Sequence, residues 1–314
     1  MKRLYKHTIL FLLPVFLLVI ILPVKKRLKY QGLENDCFNH AIWIHDRLYQ
    51  NSKPVDIAIL GSSRTINGVN DKLMEQKLEK YDKAVVNFGY CRLGRNLSYT
   101  LLKEIVKTKK PEYLVIEISR GEDRYSHPVF PNIAVTFDVL FANPFFNRDF
   151  LSDIHTHISY KIELWQEFLF RNKPEAPVRT SDFGFASSAD TIAIEKLEAV
   201  KTERSKPKPE LNKLEQIFFM SFPKIYLKKI HRLCRKNNID ILFLYIPQYG
   251  TSQFIPNEYN TYIRYGKVIF PPASIFDNPC YWHDDEHLNQ TGANELSLYL
   301  VNKLKNKYLS NTSK

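Results

Sequence analysis

Short apolar runs alternate along this chain with longer segments in which apolar residues recur every three or four positions. The runs that read as strands are 55–60, 83–88, 113–118, 239–246 and 267–270. The segments with helical spacing are 39–49, 71–78, 97–106, 222–237 and 292–307. Apolar strands that alternate with helices are typical of a parallel sheet covered on both faces. The pattern therefore predicts an α/β fold: a three-layer, doubly wound sheet of about five parallel strands.

This alternation stops between residues 124 and 215. The stretch is at first rich in Phe, Pro and Asn and then becomes polar, and residues 201–213 have the composition of an exposed linker. We therefore predict one α/β domain over residues 31–314, interrupted by a large insertion at about 124–215. The insertion carries aromatic residues that we expect to pack in a core or to form a lid: Phe141, Phe145, Phe146 and Phe150.

An uncharged apolar segment, residues 8–24, lies near the start of the chain. Its length is at the short end of the roughly 17–25 residues that span a bilayer. The segment is followed by Lys25 and Lys26 and offers no small-x-small cleavage site, which favours an uncleaved anchor over a signal peptide. We predict a single N-terminal transmembrane helix within residues 1–30, with the domain exported to the periplasmic or extracytoplasmic side.

The basic charge of the chain is concentrated beside that segment. Of the formal net charge of +12, seven positive charges lie in residues 1–30, which leaves +5 for the rest. Basic flanks of this kind favour anionic lipid headgroups. No nucleic-acid-binding motif accompanies the charge, so we expect a membrane partner and no nucleic acid.

The four cysteines have no metal-ligand spacing. We expect mostly buried free thiols, and one or two disulfides are the alternative if the domain is exported.

Two polar motifs lie next to predicted elements of the α/β fold. Ser62 and Ser63 come directly after the first strand, and Asp284 and His287 come shortly before the last helix. Catalytic groups of open α/β sheets gather at the carboxyl ends of the strands. An Asp three residues before a His can hold its imidazole, so the motifs together predict a catalytic triad of Ser63, His287 and Asp284. Ser62 is the rival nucleophile.

Simpler interpretations compete with the triad. The Gly-Ser-Ser sequence is a common turn, and Asp284 could cap the start of the last helix. A metal cluster of His283, Asp284 and His287 is a further alternative, although we expect neither a metal nor a cofactor. His155 and His157 lie in the insertion, and we expect both at the surface.

The two motifs resemble those of the SGNH, or GDSL-like, hydrolase superfamily. The first block of that family places a nucleophilic Ser third in a Gly-Asp-Ser turn, which matches Ser63 with a second serine in place of the Asp. Its last block, Asp-x-x-His, matches Asp284 and His287. The resemblance covers residues 55–123 and 216–308, and it implies the SGNH or flavodoxin-like type of sheet.

The middle blocks of the family depart from its pattern here. Asn87 matches the second block, but the following glycine, Gly94, comes later than usual, and the third block lacks its Asn. The resemblance implies an oxyanion hole formed by the backbone amides of Ser63 and Gly94. Arg120 could replace the missing Asn as a cationic donor, or it could form only an ion pair at the strand end.

The closest resemblance is to the membrane-anchored branch that works beside membrane-bound O-acyltransferases, as in alginate O-acetylation and teichoic-acid D-alanylation. It implies an enzyme that transfers acyl groups, acetyl above all, to a cell-envelope or capsular polysaccharide through an acyl-serine intermediate. It also implies a membrane-bound O-acyltransferase as partner. A carbohydrate esterase or deacetylase is one alternative. A non-catalytic accessory that binds a glycan or the acyltransferase is another.

Overall fold

The computed structural model describes residues 22–33, 40–171, 174–206 and 211–306, together with 3, 5–8, 10–11 and 13–14. Within the predicted anchor, residues 1, 2, 4, 9, 12 and 15–21 lie outside the described residues. Among the helices that are described, none combines the length and the apolar character needed to cross a bilayer.

The core of the molecule is a five-stranded sheet in which all strands are parallel. The strands are β1 (Ile57–Leu60), β2 (Val85–Asn87), β3 (Tyr113–Ile118), β4 (Asp240–Tyr245) and β5 (Lys267–Ile269). Their order across the sheet is β2-β1-β3-β4-β5. The predicted α/β fold with a parallel sheet of about five strands is confirmed.

Helices of very different lengths surround the sheet. Among the helices whose full bounds lie in the described residues, the first seven are α1 (Lys26–Gln31), α2 (His40–Tyr49), α3 (Ser63–Gly68), α4 (Asp71–Leu78), α5 (Arg95–Thr108), α6 (Phe130–Ile133) and α7 (Thr136–Leu140). The remaining seven are α8 (Phe150–Gln166), α9 (Ile194–Arg204), α10 (Lys213–Phe219), α11 (Ser221–Lys236), α12 (Tyr259–Tyr262), α13 (Ala273–Phe276) and α14 (Gln290–Leu304).

The strands bury both of their faces, which accounts for their nearly continuous apolar character. Along β1, Ala58 and Leu60 join one apolar cluster with side chains of α2, α5 and α11. Ile57 and Ile59 join a second cluster with side chains of α4 and α14. Because side chains alternate along a strand, the two clusters lie on opposite faces of the sheet. The described part of the chain therefore has helix, sheet and helix layers.

The insertion is fastened to the α/β core by backbone hydrogen bonds. The buried carboxylate of Asp71, in the first turn of α4, accepts hydrogen bonds from Gly184 N at 2.8 Å and Phe185 N at 3.2 Å. Further along, Gln290 N at the start of α14 donates to Ser188 O at 2.9 Å. The second half of the insertion thus crosses the layer formed by α4 and α14 and leads into α9.

The insertion departs in part from what its sequence predicted. The predicted linker 201–213 includes Lys201–Arg204, which form the last turn of α9. Phe141 and Phe145 are 72% and 85% exposed, so neither lies in a core, and the alternative that they form a lid stays a prediction. Phe150 does pack against a small apolar cluster. Exposed and buried aromatic residues could not be told apart because a sequence does not show which side of a turn or a helix end is covered.

The two insertion histidines differ. His155 is exposed, as predicted. His157 is only 2% exposed, so the expectation of a surface position is wrong. Its Nδ1 lies 2.6 Å from Pro131 O and its Nε2 lies 3.0 Å from Thr136 Oγ1. These two partners satisfy the polar atoms of the ring, which allows it to be buried.

The cysteines also depart from the expected set of buried thiols. Cys91 is disulfide-bonded, whereas Cys234 is a buried free thiol and Cys280 an exposed one. Cys37 lies outside the described residues.

Candidate functional site

The structure brings Ser63, His287 and Asp284 together, although the first and last are far apart in sequence. His287 Nε2 lies 2.7 Å from Ser63 Oγ. His287 Nδ1 lies 3.0 Å and 2.9 Å from the two carboxylate oxygens of Asp284. The carboxylate fixes the tautomer: Nδ1–H donates to Asp284, and Nε2 is left to accept the Ser63 hydroxyl proton. This connectivity is that of a serine nucleophile, a general base and an orienting carboxylate.

Asp284 is held in the ionised state. Burial would raise its pKa, but hydrogen bonds from the His287 ring and from the backbone amides of Glu286 and His287 lower the pKa to about 2. Side chains at the site remain partly open to solvent, with 20% exposure for His287 and 40% for Asp284. The carboxylate therefore places a negative charge next to the imidazole, as an orienting carboxylate does.

The capping role considered for Asp284 belongs to another residue. The helix α14 begins after Asn289, whose side-chain oxygen accepts a hydrogen bond from Gly292 N at 3.0 Å. Asp284 instead closes a turn before the helix. Its carboxylate is therefore free of the helix start and directed at the imidazole.

Ser62 is occupied by a structural role. Its hydroxyl lies 2.9 Å and 2.8 Å from the two oxygens of the Glu117 carboxylate and accepts from Arg64 N at 3.1 Å. Glu117 also accepts from Ser62 N at 2.6 Å and from Thr65 Oγ1 at 2.6 Å. Arg64 Nη2 lies 3.1 Å from Oε1 of the same Glu117 carboxylate. Between the two serines, the half-buried Ser63 is the one that contacts the imidazole.

Glu117 is a residue of the site that the sequence patterns did not indicate. This carboxylate is fully buried within β3 and lies under the turn that carries Ser63. Its signal was present, because Tyr113–Ile118 is otherwise uncharged and a carboxylate in a buried strand requires partners. The identity of those partners depends on the neighbouring strand, which the sequence does not specify.

Asn87, the residue matched to the second block, has a structural role as well. Its Nδ2 donates to Thr65 O and Val69 O, both at 2.8 Å, and its Oδ1 accepts from Gly89 N at 3.0 Å. The side chain thus ties the end of α3 to the loop that follows β2. It fixes the turn and helix that carry Ser63 from the side opposite Glu117.

The two backbone amides proposed for the oxyanion hole have no acceptor among the described residues. Ser63 N is the first amide of α3, and Gly94 N precedes the first turn of α5. A Cβ at Gly94 would lie 2.4 Å from His127 Cβ, so this position requires glycine. His127 Nε2 lies 2.5 Å from Cys91 O and braces the same loop.

The segment matched to the third block, residues 119–123, contains one partner of a buried ion pair. Arg95 Nε lies 2.9 Å from each carboxylate oxygen of Glu122, and the Tyr262 hydroxyl contacts the same carboxylate. Arg95 Nη1 also donates to Glu117 O at 2.8 Å. Glu122 therefore stabilises the end of β3 through Arg95 and Tyr262.

Arg120 lines a cavity of about 740 Å³ at the carboxyl ends of β3 and β4. Its guanidinium stacks on the ring of Phe254, 4.6 Å from the ring centroid. Gly121 lines this cavity and also a smaller one of about 200 Å³, which Gly94 lines too. The loops after β2 and β3 thus converge at one edge of the sheet, as predicted. The oxyanion role of Arg120 stays a prediction.

Arg204, at the end of α9, contacts the loop that carries Asp284. Its Nη1 donates to Asp285 O at 2.8 Å and Tyr249 O at 3.0 Å, and its Nη2 lies 2.5 Å from Asp285 Oδ2. This arginine lies within the stretch 201–213 that was predicted to be a linker. Only the return of the insertion across the sheet brings it to the site.

The alternative of a metal site receives no support from the described residues. His283, Asp284 and His287 do not form a group that could hold an ion, and no other such group of His, Cys, Asp or Glu occurs in the described ranges. His283 N donates to His287 O at 2.9 Å, so the two histidines are linked through their backbones.

Comparisons with known proteins leave the site to be judged on its geometry. Neither the models of known protein families nor the curated proteins include a match to this chain.

Proposed function

We propose that the protein is a serine acyl-transfer enzyme of the SGNH-like type that O-acylates, and most of all O-acetylates, a cell-envelope or capsular polysaccharide. One observation carries the proposal: the imidazole of His287 joins Ser63 Oγ at 2.7 Å to the Asp284 carboxylate at 2.9 Å. A hydroxyl, an imidazole and a carboxylate in this sequence form the connectivity that activates a serine.

In the first half-reaction, Ser63 Oγ attacks the carbonyl carbon of an acyl donor. His287 Nε2 accepts the hydroxyl proton, and the resulting imidazolium is stabilised by Asp284. As the tetrahedral intermediate collapses, the imidazolium returns that proton to the departing oxygen of the donor. The acyl group is then an ester of Ser63.

In the second half-reaction, a sugar hydroxyl replaces the donor. His287 removes its proton, the sugar oxygen attacks the acyl-serine carbonyl, and Ser63 Oγ leaves with the proton that the imidazolium supplies. The acyl group has moved to the sugar and the enzyme is unchanged. The backbone amides of Ser63 and Gly94 are the proposed donors to the oxyanion in both half-reactions, and one such donor is typically worth about 10²–10³ in rate.

We further propose that a membrane tether holds this domain on the extracytoplasmic side. The apolar segment 8–24 and its basic flanks support a tether. The disulfide at Cys91 supports an oxidising compartment.

An exposed aromatic surface lies directly beside the end of the apolar segment. Lys25 Nζ lies 5.8 Å from the ring centroid of Phe168, and Leu169 and Phe170 are exposed as well. Aromatic rings with neighbouring lysines suit the headgroup level of a bilayer.

A membrane-bound O-acyltransferase in the same bilayer is the proposed supplier of the acyl group.

Hydrolysis is the second candidate. Water can reach the partly exposed His287 and Asp284, and a water molecule in place of the sugar hydroxyl would make the protein a carbohydrate esterase. The non-catalytic accessory remains the third, because no asparagine side chain occupies the third-block position.

Labelling with a fluorophosphonate probe tests the nucleophile. In the full-length chain we expect labelling of the parent and of Ser62→Ala, and loss of labelling in Ser63→Ala and His287→Ala. Ser62→Ala is the matched control because it removes the neighbouring hydroxyl. Labelling that persists in Ser63→Ala would exclude this nucleophile, and an unlabelled parent would favour the accessory.

Transfer and hydrolysis are separated with an acyl donor offered with and without an oligosaccharide acceptor. Acyl transfer predicts acylated sugar and a faster loss of donor when the acceptor is present. Free acid at equal rates in both reactions, without acylated sugar, would favour the esterase.

A further inference from the structure

The cavity at the carboxyl ends of β3 and β4 has an unusual charge. Its volume of about 740 Å³ falls in the range of roughly 300–1,000 Å³ that is typical of ligand pockets. Four cationic side chains are among its described lining residues: Arg64, Arg120, Arg204 and Lys206. No Asp or Glu is among them.

Two of these cations are already neutralised. Arg64 is paired with the buried carboxylate of Glu117 at 3.1 Å, and Arg204 is paired with Asp285 at 2.5 Å. Within the described ranges, no carboxylate lies within 4.0 Å of Arg120. The cavity therefore has positive charge in excess of what the surrounding carboxylates balance.

Arg120 is held in place without an ionic partner. Its guanidinium stacks on Phe254, which occupies the flat face of the group and leaves the N–H groups at its edge available. A guanidinium edge matches the two oxygens of a carboxylate or a phosphate with two parallel hydrogen bonds. Stacking reduces the freedom that such binding would otherwise cost.

The position of the cavity relates this charge to the proposed reaction. Arg64 lines the cavity and directly follows Ser63 in the chain, and Arg204 lines it while holding the loop of Asp284. A ligand in the cavity would therefore lie beside the nucleophile turn.

We propose that this cavity binds an anionic group of the substrate, a carboxylate or a phosphate, through the edge of Arg120. The inference rests on the proposed function for the identity of the ligand as substrate. It assigns that substrate to the acidic glycans and excludes neutral ones as preferred ligands. Lys206, which also lines the cavity, adds long-range attraction for an anionic ligand, and salt would screen this attraction.

Calorimetric binding to the full-length Ser63→Ala protein tests this inference without the chemistry. The ligands are three oligosaccharides of equal length: one with hexuronate carboxylates, one with phosphate groups and one that is neutral. We expect at least one anionic ligand to bind at least about tenfold more tightly than the neutral one, with an affinity that falls as salt is raised. The tighter of the two anionic ligands identifies the source of the charge.

Arg120→Gln, made in the same Ser63→Ala background, should weaken anionic binding about tenfold to a hundredfold and leave neutral binding unchanged. Arg148→Gln is the matched control. Arg148 also stacks on an aromatic ring, that of Tyr125 at 4.4 Å, but does not line this cavity. The control should bind all three ligands as Ser63→Ala does.

Equal affinity for neutral and anionic ligands, or unchanged anionic binding in Arg120→Gln, would overturn the inference. If Arg120 is an oxyanion donor instead, Arg120→Gln with Ser63 intact will react more slowly with a neutral fluorophosphonate while anionic binding stays the same. Failure of the proposed function is a separate result. A parent protein that does not react with the fluorophosphonate gives no information about the binding of oligosaccharides to Ser63→Ala.

Discussion

Substituting Glu117 with glutamine tests whether a buried carboxylate sets the nucleophile turn. The change preserves shape but removes the charge and one of two acceptor oxygens. Oε2 accepts from Ser62 N and Thr65 Oγ1, both at 2.6 Å, and Oε1 lies 3.1 Å from Arg64 Nη2. A glutamine can place its oxygen on only one side. In either orientation its NH₂ group meets another donor.

The expected cost follows from these contacts. A buried donor left without an acceptor costs about 1–3 kcal/mol. Breaking a buried ion pair by removing one partner costs about 3–5 kcal/mol. The two costs share the same atoms and are not added, so we expect a loss of about 3–5 kcal/mol in the free energy of unfolding. At about 2–4 °C per kcal/mol, the melting temperature should fall by on the order of 10 °C.

Thermal unfolding and fluorophosphonate labelling, both of the full-length chain, provide the measurements. Labelling at a temperature where Glu117→Gln remains folded should be slower than in the parent, because the turn that positions Ser63 has lost its anchor. Glu112→Gln is the matched control. Glu112 is exposed and paired with Lys83 at 2.7 Å, just before the same strand, so its loss should change the free energy by no more than about 0.5 kcal/mol.

The reasoning would be refuted by a Glu117→Gln protein that melts within about 2 °C of the parent. A large loss of stability with unchanged labelling of the folded protein would refute the positioning role and leave Glu117 a purely structural residue.

Three further predictions concern the groups around this turn. Asp284→Asn should slow labelling by about 10²–10⁴, because an amide neither selects the required imidazole tautomer nor stabilises the imidazolium; labelling at the parent rate would contradict the triad. Arg204→Gln should slow labelling several-fold to about tenfold by freeing the loop that it clamps, whereas Lys196→Gln on the same helix should label like the parent; equal rates in both would remove the clamp from the argument. Burial lowers the pKa of His157 to about 4, so its neutral ring stabilises the fold above about pH 6.5 and this contribution is lost as the pH falls toward 4. Urea midpoints at pH 7 and pH 5 should therefore differ less in His157→Gln than in the parent, and an equal difference would show that His157 is not responsible.

The strands were predictable because burial of both faces requires a short, nearly continuous apolar run, which is easy to recognise in a sequence. Tyr113–Ile118 matches its prediction residue for residue, and Asp240–Tyr245 lies within the predicted 239–246. The helix ends were less predictable. The last helix begins two residues before its predicted start because Asn289 caps it.

The insertion was the least predictable part of the chain. Its polar and aromatic residues carry no clear periodicity, and their burial depends on contacts with distant elements. His157 is buried because Pro131 and Thr136 supply acceptor and donor atoms, and Arg204 reaches the site because Gly184 and its neighbours fasten the insertion to the core.

The amino-acid sequence by itself determined the parallel α/β sheet and the residues that meet at its edge, Ser63, Asp284 and His287. It did so because apolar periodicity specifies strands, and because parallel strands bring their carboxyl ends to one side. Only the tertiary structure shows which of Ser62 and Ser63 contacts the imidazole, since Ser62 is hydrogen-bonded to Glu117 from a neighbouring strand. The same holds for the charge of the cavity: whether an arginine is neutralised or left to bind an anion depends on which carboxylate the fold places within reach.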